Sequence, residues 1–298
     1  MTTETTASAP TRGFWARMRR TSLGRAFADA TGLFGLACVT LIVMLAIFAP
    51  WITPYTPDGI DVANRLAGPS SEHLMGTDQL GRDLFSRLLF GARIALMVAV
   101  PATLVAALVG SLFGLIAGYF GGVADHAIVL FFDVIRSFPS LLLAIALIAL
   151  TGPSLVMLVT IIAITSMPSY GRLIRAQTIK AREEEYVTAS RALGARPPRI
   201  MTVHLLPNVV APLFIQAAMD IPVVITFEAG LSFLGLGVPP PTPSWGSILR
   251  EGYSYVRLSP WPIVFGSGFL VVATLGFTFF AESLRDAFDV RLKNEDAG

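Results

Sequence analysis

Between Tyr170 and Pro207 the chain changes solvent. On either side it is too apolar for water, yet Gly171 to Leu206 carry seven Arg or Lys and three Glu. Charge at that density cannot be buried in hydrocarbon, so the segment must lie in water beside a membrane that the flanking runs cross. Its own chemistry is helical. Glu183, Glu184 and Glu185 would stand at the positive end of a short helix running through Ala192 and Leu193. Gly194 can take the left-handed conformation that ends such a helix, and Pro197 and Pro198 stop it and open the next at Arg199. A short capped helix held outside a bilayer by spans on both sides is a handle on which a soluble partner could push.

Composition supports a polytopic, all-α membrane protein. Of 298 residues 54% are hydrophobic and 14% charged, against about 25% charged in a soluble domain. The net charge of +2 therefore points to membrane topology and not to nucleic acid. Cys38, the single cysteine, lies in an apolar run, which excludes an internal disulfide and suggests no thiolate chemistry. His73, His126 and His204 show no metal-ligand spacing. No Gly-rich loop followed by Lys-Ser/Thr is present to cradle ATP, and no nucleophile–base pair or metal cluster points to an enzyme.

Six apolar runs organise the chain. Residues 1–31 form a polar tail with Arg12, Arg17, Arg19, Arg20 and Arg25, expected in the cytoplasm. The run at 32–52 has bilayer length, which favours a retained first span over a cleaved signal peptide. Residues 53–91 are rich in Pro, Gly and Asp and net acidic, which suits the outer side. A five-helix core then occupies 92–283, interrupted by the charged loop 171–206 and followed by a cytoplasmic tail at 284–298. Within the core the second span, about 94–118, is rich in small residues and should pack deep in the bundle. The third span, about 128–150, carries Asp133 and Arg136, which share a helix face and can pair, and Pro139. The fourth runs from about Ser154 to Pro168, the fifth from about Asn208 to Phe233 and the sixth from about Ile263 to Phe280. Trp245, Trp261 and two tyrosines between the last two fit the lipid–water boundary. With both ends inside, fifteen Arg or Lys fall on the cytoplasmic side and five in the two large outer segments, satisfying the positive-inside rule.

Two acidic residues lie within the fifth span. Asp220 is thirteen residues beyond Pro207, about 20 Å at helical rise, and Glu228 lies about 12 Å further. A carboxylate at such depth is costly and invites a functional reading. For Asp220 a wet translocation pathway is favoured; Glu228 either shares that pathway or is satisfied by backbone or a neighbouring helix. In the outer loop, Gly76 and Gly81 permit tight turns, and Asp78, Arg82 and Asp83 can lace such a turn with hydrogen bonds. A folded turn is favoured there over a substrate contact.

Four stretches resemble one family. Thr188-Ala189-Ser190, then Gly194 and Leu206-Pro207, resemble the cytoplasmic EAA loop of permease subunits in bacterial ABC importers, with Thr188 in place of the family's Glu, Ser190 in place of an Ala and His204 in place of an Ile. His73 to Asp83, including Gly76, Thr77, Asp78, Gly81, Arg82 and Asp83, looks like a signature of the C-type subunit of the dipeptide/oligopeptide/nickel branch. The run from Gly118 through Asp133 to Pro139, and Glu228 to Gly237, are similar to the same branch. The resemblance covers the chain from about residue 30 onward.

The resemblance implies a type I ABC importer permease fold with six transmembrane helices, in the bacterial inner membrane. It implies a coupling helix at Glu185, Tyr186, Ala189, Ser190, Arg191, Ala192, Leu193 and Gly194 that docks onto an ATPase subunit. A related B-type permease, two ABC ATPases holding ATP and Mg, and an extracytoplasmic binding protein are the partners it implies. The cargo it implies is a di- or oligopeptide, with nickel or another small solute as the alternative. A stand-alone secondary transporter is disfavoured, since no convincing internal repeat is seen and the acidic residues concentrate in one span.

Overall fold

The computed structural model describes residues 29–295, with side chains through 287. The five arginines of the N-terminal tail and the side chains of Arg291 and Lys293 lie outside the described residues. Among those described every regular element is a helix, apart from an isolated antiparallel bridge between Thr77 and Asp83.

Helix α1, Ala30–Ile52, is opened by Asp29, whose carboxylate accepts from the Ala30 amide at 2.8 Å. A long loop follows, holding a 3-10 turn at Val62–Asn64. Helix α2, Leu84–Phe120, starts where Asp83 accepts from the Ser86 amide at 2.8 Å. Its 37 residues rise about 55 Å, well beyond a bilayer core. The two ends of α2 therefore mark the two ends of the bundle.

The segment expected to form the third span, about 128–150, is two helices, α3 at Gly122–Ser137 and α4 at Ser140–Thr151, bent by 86°. Pro139 supplies the reason. Its ring disfavours helical backbone at the preceding residue, and Phe138 is extended at φ −96° and ψ 137°. Five helices are long and apolar enough to cross a membrane, and six if the bent pair counts as one span.

Helix α5, Leu155–Ala181, carries on past the last apolar residues, so the charged stretch begins on a continuing helix and not in a loop. Helix α6, Glu185–Ala192, comes next. A helical turn opens at Pro197, two residues before the expected Arg199, and leads through a π-helical segment at Ile200–Leu205 and a turn at Leu206–Val209. Helix α7 is Ala211–Phe233, the short α8 is Trp245–Ser254 and α9 is Trp261–Glu295.

The most extensive helix pairing joins α2 to α5. Gly110, Gly114 and Gly118 recur every fourth residue and make one face of α2 flat. A Cβ at Gly114 would fall 2.3 Å from the Gly171 carbonyl oxygen of α5, so no other residue permits this approach. Two apolar cores result. One gathers α1, α2, α4, α5, α7, α8 and α9 around Trp245, Leu88 and Ile161. The other, toward the far end of α2, surrounds Tyr170, Val187, Ile200 and Leu205.

Candidate functional site

The residues singled out in the sequence fall at three places. The first is α6. Glu185 lies in its first turn, where the helix dipole favours negative charge. Beyond Leu193 the helix closes by a Schellman arrangement: the Gly194 amide donates to the Arg191 carbonyl at 2.9 Å and the Ala195 amide to the Ser190 carbonyl at 3.1 Å. Gly194 has φ +77°, the left-handed conformation that this closure needs. Val187 alone of α6 is buried and pins the helix to the second core. The Arg191 guanidinium lies 5.2 Å from the Tyr119 ring centroid, above the end of α2.

On the opposite side, Tyr186, Ala189 and Leu193 repeat at the spacing of a single helix face, and all three are exposed. Leu193 is 89% exposed. Glu185, Arg191, Ala192 and Gly194 are exposed as well, and Ser190 is half-buried, its hydroxyl donating to the Tyr186 carbonyl at 2.8 Å. The end of α5 is fastened to α3 and α2. Arg175 donates from Nε and Nη2 to the two carboxylate oxygens of Asp125 at 2.5 and 2.6 Å, and Arg182 donates to the Gly118 carbonyl at 2.8 Å.

The second place is a cleft of about 180 Å³ between the α3–α4 bend, α5 and α7. Asp220, Arg136, Ser140, Thr165, Ser166 and Ser169 supply its polar wall, and Val223 and Phe227 part of its apolar wall. Asp220 Oδ1 accepts from Gln216 Nε2 at 3.0 Å. The buried Tyr170 hydroxyl adjoins Asp220 without a hydrogen bond of full geometry. Arg136 does not pair with Asp133; its Nη1 donates to the Ser169 hydroxyl at 3.1 Å, and Asp133 pairs with Arg172 at 2.6 Å. Each meets a residue of α5 instead, Arg172 and Ser169 being three apart there as Asp133 and Arg136 are on α3. Glu228 does not line the cleft. It is 0% exposed and accepts from the Ser232 hydroxyl at 2.6 Å, one helical turn away and under α8. Asp220 and Glu228 thus occupy different environments on one helix.

The third place is the loop before α2. Asp78 Oδ1 accepts from the amides of Leu80 and Arg82 at 2.8 and 3.0 Å, and its Oδ2 takes Arg82 Nε at 2.6 Å. Thr77 donates to the Asn64 carbonyl and accepts from the Ala67 amide. His73 Nδ1 meets Asp83 Oδ1 at 2.9 Å. Gly76 and Gly81 both have positive φ, and a Cβ at Gly81 would fall 1.7 Å from the Asp61 carbonyl. These residues build a locked turn at the start of α2.

A family model described as the binding-protein-dependent transport system inner membrane component matches residues 110–294. A second model, the N-terminal TM domain of oligopeptide transport permease C, matches residues 10–69. The chain belongs to this permease family. It is 39% identical to the dipeptide transport system permease protein DppC of Alkalihalophilus pseudofirmus over 97% of this chain and 92% of that protein. It is 39% identical to the di/tripeptide transport system permease protein DppC of Pseudomonas aeruginosa, covering 96% and 94%. With the glutathione transport system permease protein GsiD of Pectobacterium atrosepticum it shares 38% identity, covering 96% and 92%. Among solved structures, a chain of the inward-facing MetNI methionine ABC transporter superposes with a TM-score of 0.54 at 20% identity, covering 68% of this chain and 96% of that one. That likeness concerns the fold, which is the permease's helical bundle.

Sequence reasoning missed three parts of this permease. Glu251 of α8 accepts from Arg82 at 2.6 Å, Arg87 at 3.0 Å and Gln79 at 3.0 Å, tying α8 to the turn before α2. Arg87 is 1% exposed. The only hint in the sequence is that buried charges need partners, and nothing there selects one more than 160 residues away. Trp245 is not a boundary aromatic: it is 0% exposed and donates from Nε1 to the Leu88 carbonyl at 3.0 Å. Arg136 borders the same cleft as Asp220, an adjacency set by the packing of α3, α5 and α7.

Proposed function

We propose that this permease is a membrane-spanning subunit of an ATP-driven importer of di- and oligopeptides, with α6 as the element through which an ATPase subunit acts. The exposed apolar face of α6 carries this reading. Tyr186, Ala189 and Leu193 are presented to water on a helix whose other side is fastened by Val187 and Arg191. Exposed apolar faces with a rigid base are docking surfaces. A push on α6 passes through α5 to the α2–α5 pair, whose glycine contacts leave no slack, so the bundle would rock between inward- and outward-open states. Asp220 lines the pathway in this reading.

Both termini then lie in the cytoplasm of a bacterial cell. The permease pairs with a related permease subunit, two ABC ATPases that bind ATP and Mg, and an extracytoplasmic binding protein. The relatives, dipeptide, di/tripeptide and glutathione permeases by name, favour peptide over nickel as cargo. The test is uptake of labelled dipeptide by cells carrying the full transporter. Leu193→Arg should abolish uptake with membrane abundance unchanged, because a charge replaces the apolar centre of the docking face. Normal uptake in that variant would refute the role of α6, and uptake of Ni²⁺ without dipeptide would refute the peptide assignment.

A further inference from the structure

Arg136 and Asp220 border one cleft, and neither has an ionic partner among the described residues. Their neighbours are neutral: Ser169 for Arg136, and Gln216 with the adjoining Tyr170 hydroxyl for Asp220. Several other described arginines and carboxylates do find each other: Arg175 with Asp125, Arg172 with Asp133, Arg82 and Arg87 with Asp78 and Glu251. The cleft holds a cation and an anion that do not pair with each other, and its lining also includes Ser140, Thr165, Ser166 and Ser169.

This wall cannot face hydrocarbon. Arg136 is exposed, Asp220 is half-exposed, and Asp220 lies mid-way along a membrane-length helix. Charges at that depth face water, a partner or a ligand. The volume, about 180 Å³, is below the ~300–1,000 Å³ usual for a complete ligand pocket, as expected of a half-site whose other wall is a second permease subunit. Val223, 64% exposed beside Asp220, is part of the open rim.

We propose that this cleft is a contact site for the charged ends of the cargo, with Asp220 receiving the peptide's α-ammonium and Arg136 its α-carboxylate. A zwitterion supplies the two charges in the arrangement that the cleft leaves unpaired. The hydroxyls suit the peptide's amide groups without demanding a particular side chain. The inference rests on the peptide-importer reading and adds the residues that would recognise the cargo.

The test uses the complete transporter in proteoliposomes with saturating binding protein, the load of each peptide being set from its measured affinity for that protein. Initial uptake is compared for Ala-Ala, its C-terminal amide and its N-acetyl form, and normalised to the amount of transporter. The wild type should move Ala-Ala fastest. Arg136→Gln should slow Ala-Ala about tenfold or more while leaving the amide unchanged, from the ~1.5–3 kcal/mol of a charged hydrogen bond. Arg136→Lys should recover most of that rate. Asp220→Asn should slow the two peptides with a free ammonium and spare the N-acetyl form. The binding protein is the same throughout, so a changed ratio between peptides belongs to this chain. Variants that slow all three peptides alike, or none, would overturn the inference. A wild-type transporter that hydrolyses ATP and imports none of the three would overturn the importer reading itself, and the inference with it.

Discussion

Two glycines with nearly the same backbone angle separate conformational from steric cost. Gly194 and Gly81 both have φ +77°, but a Cβ at Gly194 meets nothing within 4 Å, whereas at Gly81 it falls 1.7 Å from the Asp61 carbonyl. Gly194→Ala should therefore cost only the left-handed penalty of about 1–2 kcal/mol, felt locally as fraying of α6. Gly81→Ala adds a backbone clash to that penalty and should cost more than about 3 kcal/mol. Thermal unfolding of the detergent-solubilised protein checks the order; equal losses would contradict it. Glu251 belongs at this scale too. Its Oε2 serves two arginines and Gln79, and its side chain is 26% exposed. Removing one partner of a fully buried pair costs about 3–5 kcal/mol, so for Glu251→Gln partial screening reduces the expectation to about 1–3 kcal/mol.

Among the elements, α2 and α5 behave as one body, and the glycine face of α2 is the reason. Gly114→Val places its Cβ 2.3 Å from the Gly171 carbonyl and should push the helices apart, because neither backbone can yield. The expected outcome is a strong fall in folded protein recovered from membranes, read by size-exclusion chromatography. Helix α6 is the opposite case. Its Leu193 touches solvent over most of its surface, so substitution there should alter function and leave stability within about 0.5 kcal/mol. An element meant for another protein is recognisable by that difference.

Across the whole molecule, the turn before α2 and α8 lie at one end of the bundle, joined by Glu251, and α6 lies at the other, over Tyr119. Cysteine placed at Ile60 and at Leu193, both exposed, should react with a membrane-impermeant maleimide from opposite sides of the membrane. Labelling of both from the same side in Cys38→Ala protein would refute the proposed topology. The opposite ends are also where the partners differ in the proposed assembly, with a binding protein outside and an ATPase inside.

Much of this was legible from the order of residues. Apolar runs of bilayer length specify helices because backbone polar groups have no other partner in lipid. The capped helix at 185–192, with Gly194 beyond it, follows from local chemistry that needs no tertiary context. The Asp78 turn is likewise local in part, since its carboxylate accepts from amides two and four residues on, although Asn64, Ala67 and Glu251 then fasten it from further away. What only the folded bundle decided were contacts between distant segments. Asp133 chose Arg172 over Arg136, Glu251 joined Arg82 and Arg87, Trp245 went inward, and the packing of α3 against α5 and α7 set Arg136 at the cleft of Asp220. Periodicity and capping act over one or two helical turns, whereas the choice of a charge's partner depends on which helices meet and at what angle, and that is settled by the packing of the whole bundle.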